Sequence, residues 1–144
     1  MLDYNQYAAY AQDGMVHVSI DWLHSDPYDP GVIPHELTHV VQNYDGTAPN
    51  WITEGIATYM SFKLGYSIGV AHCNPGESYT TGYGCTAALF NYIERQYKHS
   101  IVRDVHLRLK HDTYTNAYFK TETGKSLDVL YAECLQAECS GGTP

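Results

Sequence analysis

Pro34-His35-Glu36-Leu37-Thr38-His39-Val40-Val41-Gln42 contains the pattern H-E-x-x-H at residues 35–39. On a helix, residues four apart lie on one face, one turn above the other. The imidazoles of His35 and His39 can then reach one divalent metal from the same side. Glu36 sits beside them, placed to take a proton from metal-activated water. Ile33, Leu37, Val40, Val41 and Tyr44 recur at helical spacing and predict an apolar stripe on this helix. Asp29-Pro30 can open it and Asp45-Gly46 ends it. Pro34 is tolerated only near a first turn, so the helix starts close to that residue or is kinked there.

A catalytic zinc site needs three protein ligands and one open position. Glu54 is the strongest candidate for the third. Gly46 and Pro49 provide a tight reversal, and Asn50 can cap a second helix from Trp51 to about Leu64, with Gly65 as its stop. Returning antiparallel, that helix would face Glu54 toward the two histidines. Gly55 and Ala57 are small, so the two helices can approach closely. Asp45 is the rival, at a shorter spacing from His39. Its spacing, six residues after His39, is similar to that of a metzincin third ligand, but that family's pattern has Gly, which breaks the helix, where this chain has Gln42, and a methionine turn, whereas Met60 falls within the second helix.

Upstream, residues 7–11 and 15–20 flank Gln12-Asp13-Gly14, a hairpin signal. Val16, Val18 and Ile20 alternate with His17 and Ser19, as in a half-buried strand. Residues 24–31 read as loop. Residues 66–82, rich in Gly, Ser and Thr, read as a long loop near the site. Helices are expected over about 83–98, 101–111 and 126–135, with a short helical piece at 114–120. Ser100 and Ser126 are the expected caps of the helices that follow them. Strands first and helices after define an α+β class, organised as one domain over residues 1–144.

The chain carries a net charge of −8 and only 8 Lys plus Arg, with no basic run. Nucleic acid and anionic membranes are therefore poor partners. No apolar run approaches the roughly 18 residues of a membrane span. Residues 1–30 show no basic region followed by an apolar run of the signal-peptide kind. Cys73, Cys85, Cys134 and Cys139 are an even set without a C-x-x-C pair. Two disulfides, Cys73–Cys85 and Cys134–Cys139, close the shortest loops and imply an oxidising, extracellular setting. His17, His24, His72, His99, His106 and His111 read as surface histidines, and Glu77 and Glu94 as solvated.

The pattern H-E-x-x-H followed by Trp51-x-x-Glu54-Gly55-x-Ala57 resembles the gluzincin metallopeptidases. More narrowly, Gly31-Val32-Ile33-Pro34-His35-Glu36-Leu37-Thr38-His39-Val40-Val41-Gln42 resembles the plant-type basic secretory protein family. So do residues 48–59, Tyr79-Thr80-Thr81-Gly82-Tyr83-Gly84-Cys85-Thr86-Ala87, and Gly124-Lys125-Ser126-Leu127. This chain departs from the family name in being acidic. The resemblance implies a zincin-like fold: a short antiparallel β-hairpin followed by a helical bundle carrying the motif helix. It implies a secreted zinc peptidase with Zn2+ on His35, His39 and Glu54 and Glu36 as general base. It also implies a donor to the developing oxyanion. Tyr83 resembles that residue in the aminopeptidase branch, where Tyr opens a helix four residues before an Ala; Tyr79 is the alternative. The expected partner is a peptide or protein substrate, bound along a strand such as residues 15–20 by a monomer. No motif that would anchor a substrate amine is visible, which favours an endopeptidase. The competing reading is a non-enzymatic secreted defence or binding protein that keeps zinc as a folding staple. Glu36 favours the enzyme, because a purely structural site needs no base.

Overall fold

The structure is a computed structural model that describes residues 7–66 and 71–141. Strand β1 (Ala9–Gln12) pairs antiparallel with β2 (Met15–Val18), with Ala9 opposite Val18 and Gln12 opposite Met15. Asp13 and Gly14 connect them, both at positive φ, as a two-residue hairpin turn demands. The second strand is shorter than its alternation predicts. Ser19 accepts a hydrogen bond from the Trp22 amide and starts a short helix, α1 (Ile20–Ser25). Ile20 is therefore not a strand residue, and it stands 70% exposed. A Ser cap outcompetes further strand pairing at an edge where, among the described residues, there is no third strand.

The motif helix is α2 (Val32–Gln42). Pro34 is its third residue, where the missing N–H falls among those a helix cannot bond internally. The proline therefore neither kinks nor delays the helix. Asn43 closes it in the left-handed conformation, its amide bonded to the His39 carbonyl. The second helix, α3 (Asn50–Lys63), begins one residue earlier than expected, with Pro49 rather than Asn50 at the cap.

The helices that follow are α4 (Tyr83–Gln96), α5 (Ile101–Lys110), α6 (Ala117–Thr123) and α7 (Leu127–Cys134). Ser126 caps α7 through its hydroxyl; Ser100, before α5, bonds Asp104 instead. Helix α4 is the centre of the core. Leu89, Phe90 and Ile93 are fully buried, and Ile52, Ile101, Phe119 and Leu130 reach the same cluster from the neighbouring helices. Each such side chain gains about 1.5–3 kcal/mol from burial. Helices α3 and α4 meet at Gly55, where an added Cβ would lie 2.3 Å from Thr86 Cγ2. The close approach that Gly55 permits is thus to α4, not to α2.

Both expected disulfides are present, and the described cysteines include no free thiol. Glu94 is buried rather than solvated. It pairs with Lys63 at 3.0 Å and accepts from the Tyr59 hydroxyl. The stripe on α2 is a second departure. Ile33, Leu37 and Val41 are 43%, 51% and 64% exposed, because among the described residues no element covers that face. Of the expected loop 66–82, residues 67–70 lie outside the described residues, and Tyr79–Thr81 form one 3-10 turn. Residues 142–144 also lie outside the described residues.

Candidate metal centre

Helices α2 and α3 run antiparallel, and a ladder of side-chain contacts fixes their register. The Ser61 hydroxyl donates to the Gly31 carbonyl (2.8 Å), and Thr58 Oγ1 lies 3.3 Å from His35 Nδ1. Gln42 Nε2 donates to the Thr53 carbonyl (2.9 Å). In this register Glu54 faces both histidines. Its Oε2 is 3.0 Å from His35 Nε2 and 3.3 Å from His39 Nε2, and the two Nε2 atoms are 3.1 Å apart.

This triangle of donors can be tested against a metal. Three ligand atoms at 2.0–2.1 Å from a tetrahedral ion stand about 3.3 Å from one another. The observed separations of 3.0, 3.1 and 3.3 Å are close to that spacing. Two imidazole nitrogens and one carboxylate oxygen also form a donor set suited to a borderline ion. The residues present therefore fit a divalent ion of zinc's size. Among the described residues, His35, His39 and Glu54 form the only such group of three.

The supports of the histidines point the same way. His39 Nδ1–H donates to Gln42 Oε1 at 2.7 Å, which leaves Nε2 as the free face of the ring. His35 Nδ1 is held by Thr58, one turn beyond Glu54 on α3. Asp45 accepts from the Thr47 hydroxyl (2.6 Å) in the exposed turn after α2, so it is not brought to the histidines as a rival ligand. Sequence reading missed Gln42 as a support. The available signal was a polar residue three positions after His39, on the same helix face and directly after the apolar Val40-Val41.

The electrostatics are those of a compact charged cluster. Burial pushes the Glu54 carboxyl up, but hydrogen bonds and charge from His35 and His39 outweigh it and bring it down to about 2. Burial pulls the His39 imidazole down, yet its bonds to Glu54 and Gln42 leave it above its ordinary value. Glu36, buried beside them, moves the other way. Desolvation raises its carboxyl, and the neighbouring histidines only partly offset this.

Tyr83 opens α4 at a φ of 51°, unusual for a residue with a side chain. Gly82 precedes it at φ 85°, packed against Trp51 and the Glu54 Cβ. The two residues turn the Tyr83 ring onto His35, stacked with centroids 6.1 Å apart. Burial and the charges of Glu54 and Glu36 raise its hydroxyl, so it stays protonated and able to donate. Tyr79 is engaged elsewhere, packed on Trp51 and Tyr131 with its hydroxyl donating to Asp128 (3.1 Å).

A cleft of about 520 Å3 runs past His35 and Glu36, bounded by Ala8, Ala9, Trp22 and Phe62. The strand that borders it is β1, not the residues 15–20 expected to carry substrate.

His35, His39 and Glu54, carried on two antiparallel helices, form a group that could hold a metal, with the buried Glu36 carboxyl and a cleft beside them. The sequence model of the BSP family, described as "Peptidase of plants and bacteria", matches residues 5–134. The chain belongs to this family, and is a peptidase by that membership. Comparison with curated proteins and with solved structures gave no match.

Proposed function

We propose that this peptidase is zinc-dependent, with His35, His39 and Glu54 as the ligands, Glu36 as the general base and Tyr83 as the donor to the oxyanion. The observation that carries the reading is the triangle of donor atoms at 3.0–3.3 Å, formed with Glu36 buried alongside. A zinc ion held there supplies a Lewis acid that polarises a carbonyl and acidifies water. Glu36 accepts the proton of the attacking water and returns it to the leaving amine. Gln42 and Thr58 hold the two imidazoles so that each presents Nε2. The Tyr83 hydroxyl donates to the negative charge that develops on the carbonyl oxygen. Phe62 and Trp22 line the cleft, and the peptide lies along it past β1.

We read the activity as endopeptidase, because the cleft is open and the sequence has no group placed to hold a substrate amine. The setting is extracellular, which the two disulfides support.

The test is cleavage of casein and a peptide library by the wild type and by Glu36→Gln, with zinc content measured on each. The expected result is cleavage by the wild type, sensitive to chelators, and loss of cleavage in Glu36→Gln with zinc retained. Full activity in that variant would end the assignment of Glu36. Stoichiometric zinc with no cleavage of any substrate by the wild type would leave only a structural role for the ion.

A further inference from the structure

The face of α2 that no described element covers is one wall of an apolar groove of about 740 Å3. Ile33, Leu37 and Val41 line it from α2, Met60 from α3 and Leu64 just after it, and Val102 from α5. Among the described residues no Asp or Glu lines it, although the chain has 16. Its one fixed charge is positive, on Arg103. An apolar trough edged by an arginine, on an acidic protein, has a surface matched to an apolar, acidic segment.

The chain itself carries such a segment. On α1 and the turn after it, Ile20 and Tyr28 are 70% and 83% exposed and Leu23 is also exposed. Asp21 and Asp26 flank them, with no Lys or Arg between residues 20 and 30. Tyr28 lies two residues from Pro30, which lines one end of the groove. Knob and groove therefore occupy adjoining surface, separated there by no more than about 7 Å of chain. Two copies related by a two-fold axis can each seat the knob in the other's groove, which closes the assembly.

We propose that the occupant of the groove is a second copy of this chain, docked through residues 20–28. This departs from the monomer expected from sequence, because that expectation took the α2 stripe to be buried within the chain. The contact does not depend on the metal centre.

Sedimentation equilibrium of the full chain at low salt, from micromolar to millimolar concentration, tests it. A concentration-dependent monomer–dimer equilibrium is expected. Leu23→Asp on the knob and Val41→Asp in the groove should each weaken it by about tenfold or more. Both residues are exposed, so far-UV circular dichroism should be unchanged. Arg103→Glu should weaken it in the same direction. Mixing the Leu23→Asp and Val41→Asp chains keeps one intact knob–groove contact per pair, so the mixture should associate more tightly than either variant alone. A chain that is monomeric throughout, or a dimer indifferent to these substitutions, would overturn the proposal; the monomer result would assign the groove to a different partner.

Discussion

At the scale of single residues, the centre depends on groups that do not touch the metal position as much as on those that do. Gln42 is the clearest case. It accepts from His39 and donates to the Thr53 carbonyl, so one side chain fixes both a ring orientation and the register of two helices. Gln42→Ala should lower zinc affinity by roughly 10–100-fold, as loss of such a support usually does. Competition with a chromophoric chelator measures this. Gln42→Glu keeps the acceptor for His39 but loses the donation to the Thr53 carbonyl, so it should recover only part of the affinity. Tyr83 is tested differently. Tyr83→Phe retains the ring on His35 and removes only the hydroxyl. The expected result is a fall in kcat of about 10²–10³-fold with KM nearly unchanged. Equal activity in the two forms would assign the ring to packing alone. Glu36 and the two histidines stood out as candidates in sequence because their spacing is tied to the helical repeat of one helix. Gln42 was obscured because a lone glutamine on a helix is ordinarily solvated.

At the scale of elements, the decisive contact is α3 against α4. Gly55 stands between Glu54, which faces the histidines, and α4, whose first residue is Tyr83. An added methyl at Gly55 would lie 2.3 Å from Thr86 Cγ2 and 2.7 Å from its Cβ. Gly55→Ala should therefore push the helices apart and destabilise the fold by roughly 1–3 kcal/mol in urea unfolding. Thr86→Ala in that background removes the nearer clash and keeps the Cβ, so it should restore only part of the loss. The sequence assigned Gly55's smallness to the wrong neighbour. Periodicity identifies which face of α3 is buried, but both flanking helices are apolar, so it does not say which one meets the glycine. The α2 stripe failed for a related reason. Helical spacing records that a face is suited to burial; whether another element covers it is a property of the assembly of helices.

At the scale of the whole molecule, disulfides and cross-helix ion pairs hold together a bundle with little sheet. Lys98, just after α4, pairs with Asp104 of α5 (3.2 Å) and with Glu122 of α6. Cys73–Cys85 fastens the loop before the 3-10 turn to the start of α4, two residues from Tyr83. Its loop, with a sequence separation of 12, is longer than that of Cys134–Cys139, at 5. On loop-closure entropy, Cys73→Ser/Cys85→Ser should cost about 3 kcal/mol and Cys134→Ser/Cys139→Ser about 2 kcal/mol. Thermal or urea unfolding of the two double variants checks the order. The chain by itself determined its helices, its hairpin turn and the pairing of the two candidate histidines, because each rests on local spacing: 3.6 residues per turn, Asp-Gly at a reversal, Ser at a helix start. It also suggested the disulfides, through the two shortest loops. Only the tertiary structure decided that Glu54 and not Asp45 joins His35 and His39, that Tyr83 and not Tyr79 lies over the centre, and that the α2 stripe faces outward. Those outcomes depend on the relative placement of helices, which is set by the summed packing of residues distant in sequence.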